Sequence, residues 1–567
     1  MRRRIQNLRH RLTTFLRHVP WRFAFTGFLS ALLLVLSFPP WSVWWLGFVG
    51  MIPFLLGLVY ARSWREVAWM GAVHSVFFIV LGFNFVAFVA VEFGGLPWIV
   101  GLLILLAYST FGEIQFLAFA LLAYGLLQAA AKLRRPLARA AFTFVVLPLV
   151  YIGVDFLYPK IFPNTLGHVL YNWLPVAQAI EYVGLHGLTL PLVIVNLAGA
   201  SLIVRYARIK PRHDALAGPV ASVVALAVVA VALAAVDSWG RGRMAELTAL
   251  EKTWTRKLKV SVIQGNIGDV DKLASESGYE PAVKKVLDAY RDASLDSISH
   301  FHPDLVVWPE TSYPFLYTHL TDAAANNSGA ARDAWMKEFV AETRTPIFFG
   351  AYSSVGKRDY NTAFLLKPPF ELAGSYRKSI LLAFGEYVPL GPLSPLITSI
   401  VPVIADFGRG PGPITLEVKG VKLGPQICYE GIFPEHSRGA VAQGADALLN
   451  ITNDSWFGRT GEPWLHLLLT VPRSIELRRP MIRSTNTGVS TIVDITGEMR
   501  YSTRLFETAS IDTTLSFPGA GQKPIETFYS RHGDVFAQAC SAFALLAAFF
   551  VFGPPLLGHA RKRLRRR

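Results

Sequence analysis

The chain has 567 residues, of which 52% are hydrophobic and only 17% charged. Its mean hydropathy is +0.38, which excludes an ordinary soluble enzyme and places it among membrane proteins. The formal net charge of +16 comes from basic runs beside apolar stretches, so the expected partner is the anionic bilayer surface and nucleic acid is excluded.

Seven apolar stretches of spanning length come first, at 23–38, 43–60, 67–90, 98–128, 140–157, 188–204 and 220–236. The first is short and the fourth is long enough to be tilted or broken. An arginine-rich start followed by an apolar run also suits a signal peptide. Here the run ends Phe38-Pro39-Pro40-Trp41 without a small-residue cleavage site, so it is read as an uncleaved anchor. His74, Glu113 and Asp155 fall inside predicted spans. Hydrocarbon disfavours ionisable groups, which marks them as paired or functional, with Asp155 near enough to an end to reach the interface.

A polar segment, 237–534, follows, and then an eighth apolar stretch at 536–557 and a basic tail. The polar segment alternates strand-like runs (258–264, 305–309, 346–352, 363–366, 422–428, 445–452 and 489–495) with helix-like ones (281–298, 330–342, 434–443 and 463–479). That alternation implies one layered α/β domain. The expected organisation is a membrane domain over 1–236 with about seven helices, a catalytic domain over 237–534, and a final span with a basic tail over 535–567. Basic residues at 2–11, Arg62 and Arg65, Lys132 to Arg139, Arg205 to Arg212 and 561–567 all fall on one side of such a frame. The positive-inside rule then puts both termini in the cytoplasm and the polar domain outside.

Chemistry concentrates in that domain. Glu310 ends the run LVVWPE, Lys378 ends SYRK, and Cys428 lies in LGPQICYEG. A thiol attacks a carbonyl, a carboxylate takes its proton, and an ammonium holds negative charge on the base or the tetrahedral oxyanion. Cys540, the other cysteine, lies inside the last span, so a disulfide would have to join a polar domain to the bilayer interior, and Cys428 is read as a free thiol with a chemical role. Glu430, two residues after Cys428, is expected on the same strand face, and Glu386 lies in a Gly/Pro loop after Lys378. Phe384, Tyr387 and Trp456 are candidate lipid contacts. His466 stands by itself with no clustered His/Cys ligand set, so no metal is expected.

These residues resemble the carbon–nitrogen hydrolase (nitrilase) superfamily, whose Glu-Lys-Cys triad sits on an αββα sandwich. The whole chain is similar to the bacterial apolipoprotein N-acyltransferases. The motifs are Phe93-Gly94-Gly95, Gln264-Gly265-Asn266-Ile267, Trp308-Pro309-Glu310-Thr311, Tyr376-Arg377-Lys378, the loop 384–389 (FGEYVP), Ile427-Cys428-Tyr429-Glu430, the segment 453–458 (NDSWFG) and the segment 483–488 (RSTNTG). Leu273, Leu465 and Thr487 stand where the family usually has Trp, Gln and Asn. The 175–187 stretch, with Gln178 and Glu181, resembles a family segment expected along the outer membrane surface.

The resemblance implies that Cys428 takes a fatty acyl chain from a phospholipid as a thioester and passes it to the α-amino group of a lipoprotein's diacylglyceryl-cysteine. Glu310 would be the base, Lys378 the oxyanion partner, and Glu386 would keep Lys378 in register. No cofactor and a monomer in the bacterial inner membrane are expected. A membrane-tethered amidase hydrolysing a small amide would share the triad but gives no reason for seven preceding spans. A transporter would leave the triad unexplained.

Overall fold

The computed structural model describes residues 19–207, 210–317, 327–389, 391 and 406–564. The basic run at 2–11, Arg208 and the last three arginines of the tail lie outside them.

Twelve strands among the described residues form two six-stranded sheets. The strands of the first are β1 (Arg256–Gln264), β2 (Leu305–Val307), β3 (Ile347–Val355), β4 (Arg358–Lys367) and β5 (Glu371–Arg377), joined late in the chain by β12. The second holds β6 (Leu416–Val418), β7 (Val421–Ile427), β8 (Ala447–Thr452), β9 (Met481–Thr485), β10 (Thr491–Val493) and β11 (Met499–Ser502). β12 (Ala509–Phe517) closes the first sheet, giving the order β12-β1-β2-β3-β4-β5 against β11-β10-β9-β8-β7-β6. Each sheet has a parallel centre, β1-β2-β3 in one and β7-β8-β9 in the other.

Side chains alternate across each strand. Val260, Val262 and Val307 of one sheet therefore meet Ile427, Leu449 and Ile451 of the other in a dry inter-sheet core. Tyr290 and Phe339, from helices Glu280–Phe301 and Asn327–Thr343, cover the first sheet's outer face with Ile263, Trp308 and Phe349. Helices Pro434–Ala442, Glu462–Thr470 and Arg473–Leu477 cover the second sheet and join its core to the membrane helices. The result is the four-layer nitrilase-like sandwich.

Several boundaries differ from expectation for local reasons. The helix expected at 463–479 is two pieces with Pro472 between them, because proline lacks the N–H to continue a helix. The span expected at 98–128 is broken into Trp98–Ser109 and Gln115–Ala130, and the one expected at 67–90 ends at Gly82 before a separate helix, Phe85–Glu92.

Among the described residues, five helices are long and apolar enough to cross a membrane: Trp64–Gly82, Pro136–Leu157, Ile180–Tyr206, Pro219–Lys252 and Val535–Gly553. Four apolar segments are shorter: Trp21–Ser37, Trp44–Tyr60, Trp98–Ser109 and Gln115–Ala130. Helix Pro219–Lys252 runs unbroken through residue 236, where the polar domain was expected to begin. Of the ionisable residues flagged in the spans, Glu113 is buried and accepts from the Gln115 amide. Asp155 is also buried, and its Oδ1 lies 2.6 Å from Lys160 Nζ. His74 is enclosed by Phe54, Phe78 and Phe116.

The two regions are fastened by a buried charge cluster. Arg478 Nε donates to Glu181 Oε2 at 2.7 Å, and its Nη1 donates to Gln178 Oε1 and to the Ile495 carbonyl, both at 2.8 Å. Arg243 Nε donates to Glu181 Oε1 at 3.1 Å, and Gln178 Nε2 donates to the Thr496 carbonyl at 2.8 Å. The 175–187 stretch is therefore where the two-sheet domain is seated on the helical region. It bends at Gly184, whose φ of +64° and closeness to Tyr529 leave no room for a side chain.

Replacing Arg478 with Met leaves Gln178 Oε1 and the Ile495 carbonyl buried without that donor and Glu181 with Arg243 alone. The expected cost is about 3–5 kcal/mol, read as a clear fall in the thermal midpoint of the detergent-purified protein. Arg241→Ala, which removes an exposed partner of Asp237, is expected to leave the midpoint nearly unchanged. Equal small effects from both would contradict the clamp.

Candidate active site

Glu310, Lys378 and Cys428 each follow the end of a strand, β2, β5 and β7 respectively. The chain turns sharply at two of these points. Thr311, beside Glu310, has φ +48°, and Cys428 itself has φ +52°, a conformation uncommon outside glycine. Gly350 on β3 makes the Glu310 turn possible, because a Cβ there would lie 2.7 Å from the Glu310 Cα. Cys428 opens a short 3-10 helix, Cys428–Ile432. The expectation that Glu430 shares a strand face with Cys428 is thus corrected: the strand ends at Ile427, and Glu430 sits one turn along this helix.

The charges interlock. Lys378 Nζ lies 2.8 Å from Glu386 Oε1 and 3.4 Å from Glu310 Oε1, and is almost fully buried. Glu310 Oε1 also accepts from Asn361 Nδ2 at 2.7 Å, and Oε2 accepts from the Asn453 backbone N–H at 2.9 Å. Desolvation alone would lower the Lys378 pKa. The charges of Glu386, Glu310 and Cys428 outweigh it and hold the ammonium well above the usual lysine range. Burial, followed by the Glu310 charge, pushes the Cys428 thiol well above its ordinary range, and Lys378 only partly offsets this. At neutral pH the site therefore holds a protonated thiol beside a charged ammonium.

The two supporting carboxylates have distinct positions. Glu386 Oε2 accepts from the Leu382 N–H at 2.8 Å, which ties the 382–386 loop to Lys378. Glu430 is fully buried and joins two elements. Its Oε1 accepts from the N–H groups of Ser379 (2.7 Å) and Ile380 (3.0 Å), the Tyr376 hydroxyl (2.7 Å) and the Ser379 hydroxyl (2.9 Å). Its Oε2 accepts from the Ile427 N–H at 2.8 Å. Glu430 thereby locks the turn carrying Cys428 to the strand end carrying Lys378.

Sequence reasoning missed Asn361. It lies on β4, donates to Glu310 and to Glu386 Oε1 (3.2 Å), and accepts the Lys378 N–H through its carbonyl at 2.9 Å. A buried Asn inside the otherwise strand-like run DYNTAFLL was the available signal.

The aromatic candidates differ from one another. Phe384 is 43% exposed and has φ +64°. Tyr387 is half-buried with the Arg409 guanidinium 4.6 Å from its ring centroid. Trp456 packs 4.7 Å from Phe93 of the membrane region. Further contacts across that seam are Phe85 with Phe457 at 5.5 Å and Phe162 with Tyr429 at 6.0 Å. The Tyr429 hydroxyl donates to the Ile161 carbonyl. The residue after Cys428 thus rests directly on the membrane region.

The expectation that His466 stands by itself is corrected. It lies with Asp454 and Glu462, and one potential ligand atom from each falls within 4.8 Å of the others. A cation is already present among them: Arg483 Nη2 is 3.2 Å from Asp454 Oδ2 and 3.3 Å from His466 Nδ1. Burial alone would raise the Asp454 pKa, but His466 and Arg483 bring it below the usual carboxylate range. Glu462, by contrast, is pushed well up by burial and by the Asp454 charge. This donor set is that of a charge-balanced internal network.

With two cysteines in the chain, NMR of protein carrying isotope-labelled cysteine Cβ has two signals to follow. A raised pKa means the proton stays bound until the pH rises through the raised value. The Cys428 signal is therefore expected to show no ionisation step between about pH 5 and about pH 8. A step in that window would contradict the site electrostatics.

A family model for carbon-nitrogen hydrolase matches residues 259–518, and one for the apolipoprotein N-acyltransferase N-terminal domain matches residues 30–198. The carbon-nitrogen hydrolase of Helicobacter pylori, a solved structure, aligns with a TM-score of 0.34 and 15% identity, covering 46% of this chain and 89% of that one. The apolipoprotein N-acyltransferase of Bdellovibrio bacteriovorus is 32% identical over 516 residues, covering 87% of this chain and 88% of its own length. That of Geobacter metallireducens is 32% identical over 550 residues, covering 95% and 97%. With likeness of that degree running through both the helical region and the sandwich, the chain belongs to the apolipoprotein N-acyltransferase family.

Proposed function

We propose that the protein is a phospholipid:apolipoprotein N-acyltransferase working through Glu310, Lys378 and Cys428. In the first half-reaction the Cys428 sulfur attacks a phospholipid ester carbonyl as its proton passes to Glu310. The tetrahedral oxyanion is held by Lys378 and by the N–H of Tyr429, one of the helix-start groups that lack an intrahelical acceptor. Collapse breaks the ester C–O bond, and the proton on Glu310 goes to the departing lysophospholipid oxygen.

In the second half-reaction the α-amino group of a diacylglyceryl-cysteine attacks the thioester carbonyl. A C–N bond forms, the C–S bond breaks, and the amine proton returns through Glu310 to the Cys428 sulfur. Glu386 and Glu430 hold Lys378 and the Cys428 turn in register, and Phe384, Tyr387 and Trp456 contact lipid.

The observation that carries this reading is the seating of the Cys428 turn on the membrane region, where Tyr429 meets Ile161 and Phe162 in the segment that follows helix Pro136–Leu157. A small-amide hydrolase has no need of that seam. The five long apolar helices, the segments 21–37 and 44–60, and the broken pair 98–109/115–130 taken as one are consistent with eight spans. Arg62, Arg65, Lys132, Arg134, Arg135 and Arg139 then face the cytoplasm with both termini. The catalytic domain, 237–534, faces the periplasm from the inner membrane, between a membrane domain over 1–236 and a last span and tail over 535–567.

Incubation of the purified protein with phospholipid alone is expected to add one fatty acyl chain, removable by hydroxylamine, in intact-mass analysis. Cys428→Ala is expected to gain none, and Glu310→Gln to slow the gain by about 10²–10⁴-fold. A folded wild-type sample that gains no acyl chain from any phospholipid would move the amidase reading to the front.

A further inference from the structure

The floor beneath Cys428 contains a polar residue that the reaction above does not use. β8 reads ALLNIT, and its Ala447, Leu449 and Ile451 enter the inter-sheet core. Asn450 points to the opposite face and is fully buried. An asparagine in a central, fully buried strand opposes strand propensity and incurs desolvation, so it persists where its hydrogen bonds matter.

Those bonds are specific. Asn450 Nδ2 donates to the Cys428 carbonyl at 3.2 Å and, more weakly, to the Gln426 carbonyl at 3.4 Å. Its Oδ1 accepts from Arg483 Nη1 at 2.5 Å, which fixes which end of the amide faces Cys428. Asn450 and Arg483 are register partners on β8 and β9. Arg483 is held in turn by Asp454, and Asp454 Oδ1 lies 2.9 Å from His466 Nδ1. The turn presses on this floor, since a Cβ on Gly431 would lie 3.0 Å from Asn450 Nδ2.

A trans peptide carries its C=O and the following N–H in opposite directions. A Cys428 carbonyl pinned down onto Asn450 therefore turns the Tyr429 N–H up, toward the substrate side of the turn. We propose that Asn450, oriented by Arg483 and Asp454, is a positioning residue that aims the Tyr429 N–H as an oxyanion donor. This rests on the acyl-enzyme reading above and assigns it a residue beyond the triad and its supporting carboxylates.

The test compares two reactions of the same thiol in the full-length, detergent-purified enzyme. Acylation by a p-nitrophenyl fatty ester builds an oxyanion, whereas alkylation by iodoacetamide builds none. Asn450→Leu is expected to slow acylation by about ten- to a hundredfold, somewhat less than outright loss of an oxyanion donor. Alkylation is expected to stay within about threefold of wild type. Asn450→Ser, which keeps a hydroxyl donor, is expected to recover part of the loss and serves if the leucine variant does not fold. Parallel loss of both reactions would mean that Asn450 merely holds Cys428 in place, and unchanged acylation would mean it does nothing; either overturns the proposal. Because the ester is activated, failure of phospholipid as the wild-type donor would sink only the donor assignment.

Discussion

Everything in the site is arranged around one buried cation. Lys378 lies at the end of β5 with Glu386 at 2.8 Å and Glu310 at 3.4 Å, almost sealed from water. A buried ammonium is tolerated only with compensating charge, and removing one partner from such a cluster typically costs several kcal/mol. That constraint recruits Asn361 between the carboxylates, the Asn453 N–H onto Glu310, and the Leu382 N–H onto Glu386. Four separate stretches of chain thereby converge on one point. The same cation partly offsets the rise in the Cys428 thiol pKa that burial and the Glu310 charge impose. It thus links the two carboxylates to the thiol.

A second constraint fixes where this chemistry happens. The outer face of the second sheet is covered partly by its own short helices and partly by the membrane region, with which it shares a continuous apolar core. The Arg478–Glu181–Arg243 cluster fastens the side of that seam, and Phe85, Phe93 and Phe162 meet Phe457, Trp456 and Tyr429 across it. Cys428 sits at the start of a turn whose next residue, Tyr429, already touches Ile161 and Phe162 of the membrane region. A long-chain ester can approach such a thiol without leaving its apolar surroundings, which is the physical requirement for taking an acyl chain from a bilayer lipid.

Much of this was legible in the residues, for reasons that differ by region. The long apolar runs and the alternation in β1 and β8 have strong periods, so their existence was readable. Where the runs break was not: 98–128 reads as one apolar stretch, yet the helix ends at Ser109 and resumes at Gln115. β12, with Asp, Thr and Ser at many positions, carries no clear alternation, yet it pairs with β1 along nine residues. Glu310, Lys378 and Cys428 were found because each closes a strand-like run in a distinctive motif. Asn361 and Asn450 escaped because their roles depend on cross-strand register, which pairs Thr362 with Arg377 and Asn450 with Arg483. Glu430 was identified near the site, but on a strand face. The positive φ at Cys428, which ends the strand and starts the turn, has no signal in composition.

The central claim is that the acyl group on Cys428 is destined for an amine and not for water. The direct measurement is a single-turnover chase. Acyl-enzyme formed from phospholipid is freed of excess lipid and mixed with a synthetic diacylglyceryl-cysteine peptide, and the products are followed by mass spectrometry. The account predicts that loss of the acyl chain from Cys428 matches the appearance of an amide on the peptide's N-terminus, with slow release in the absence of peptide. Release as free fatty acid at a rate indifferent to the peptide would contradict it.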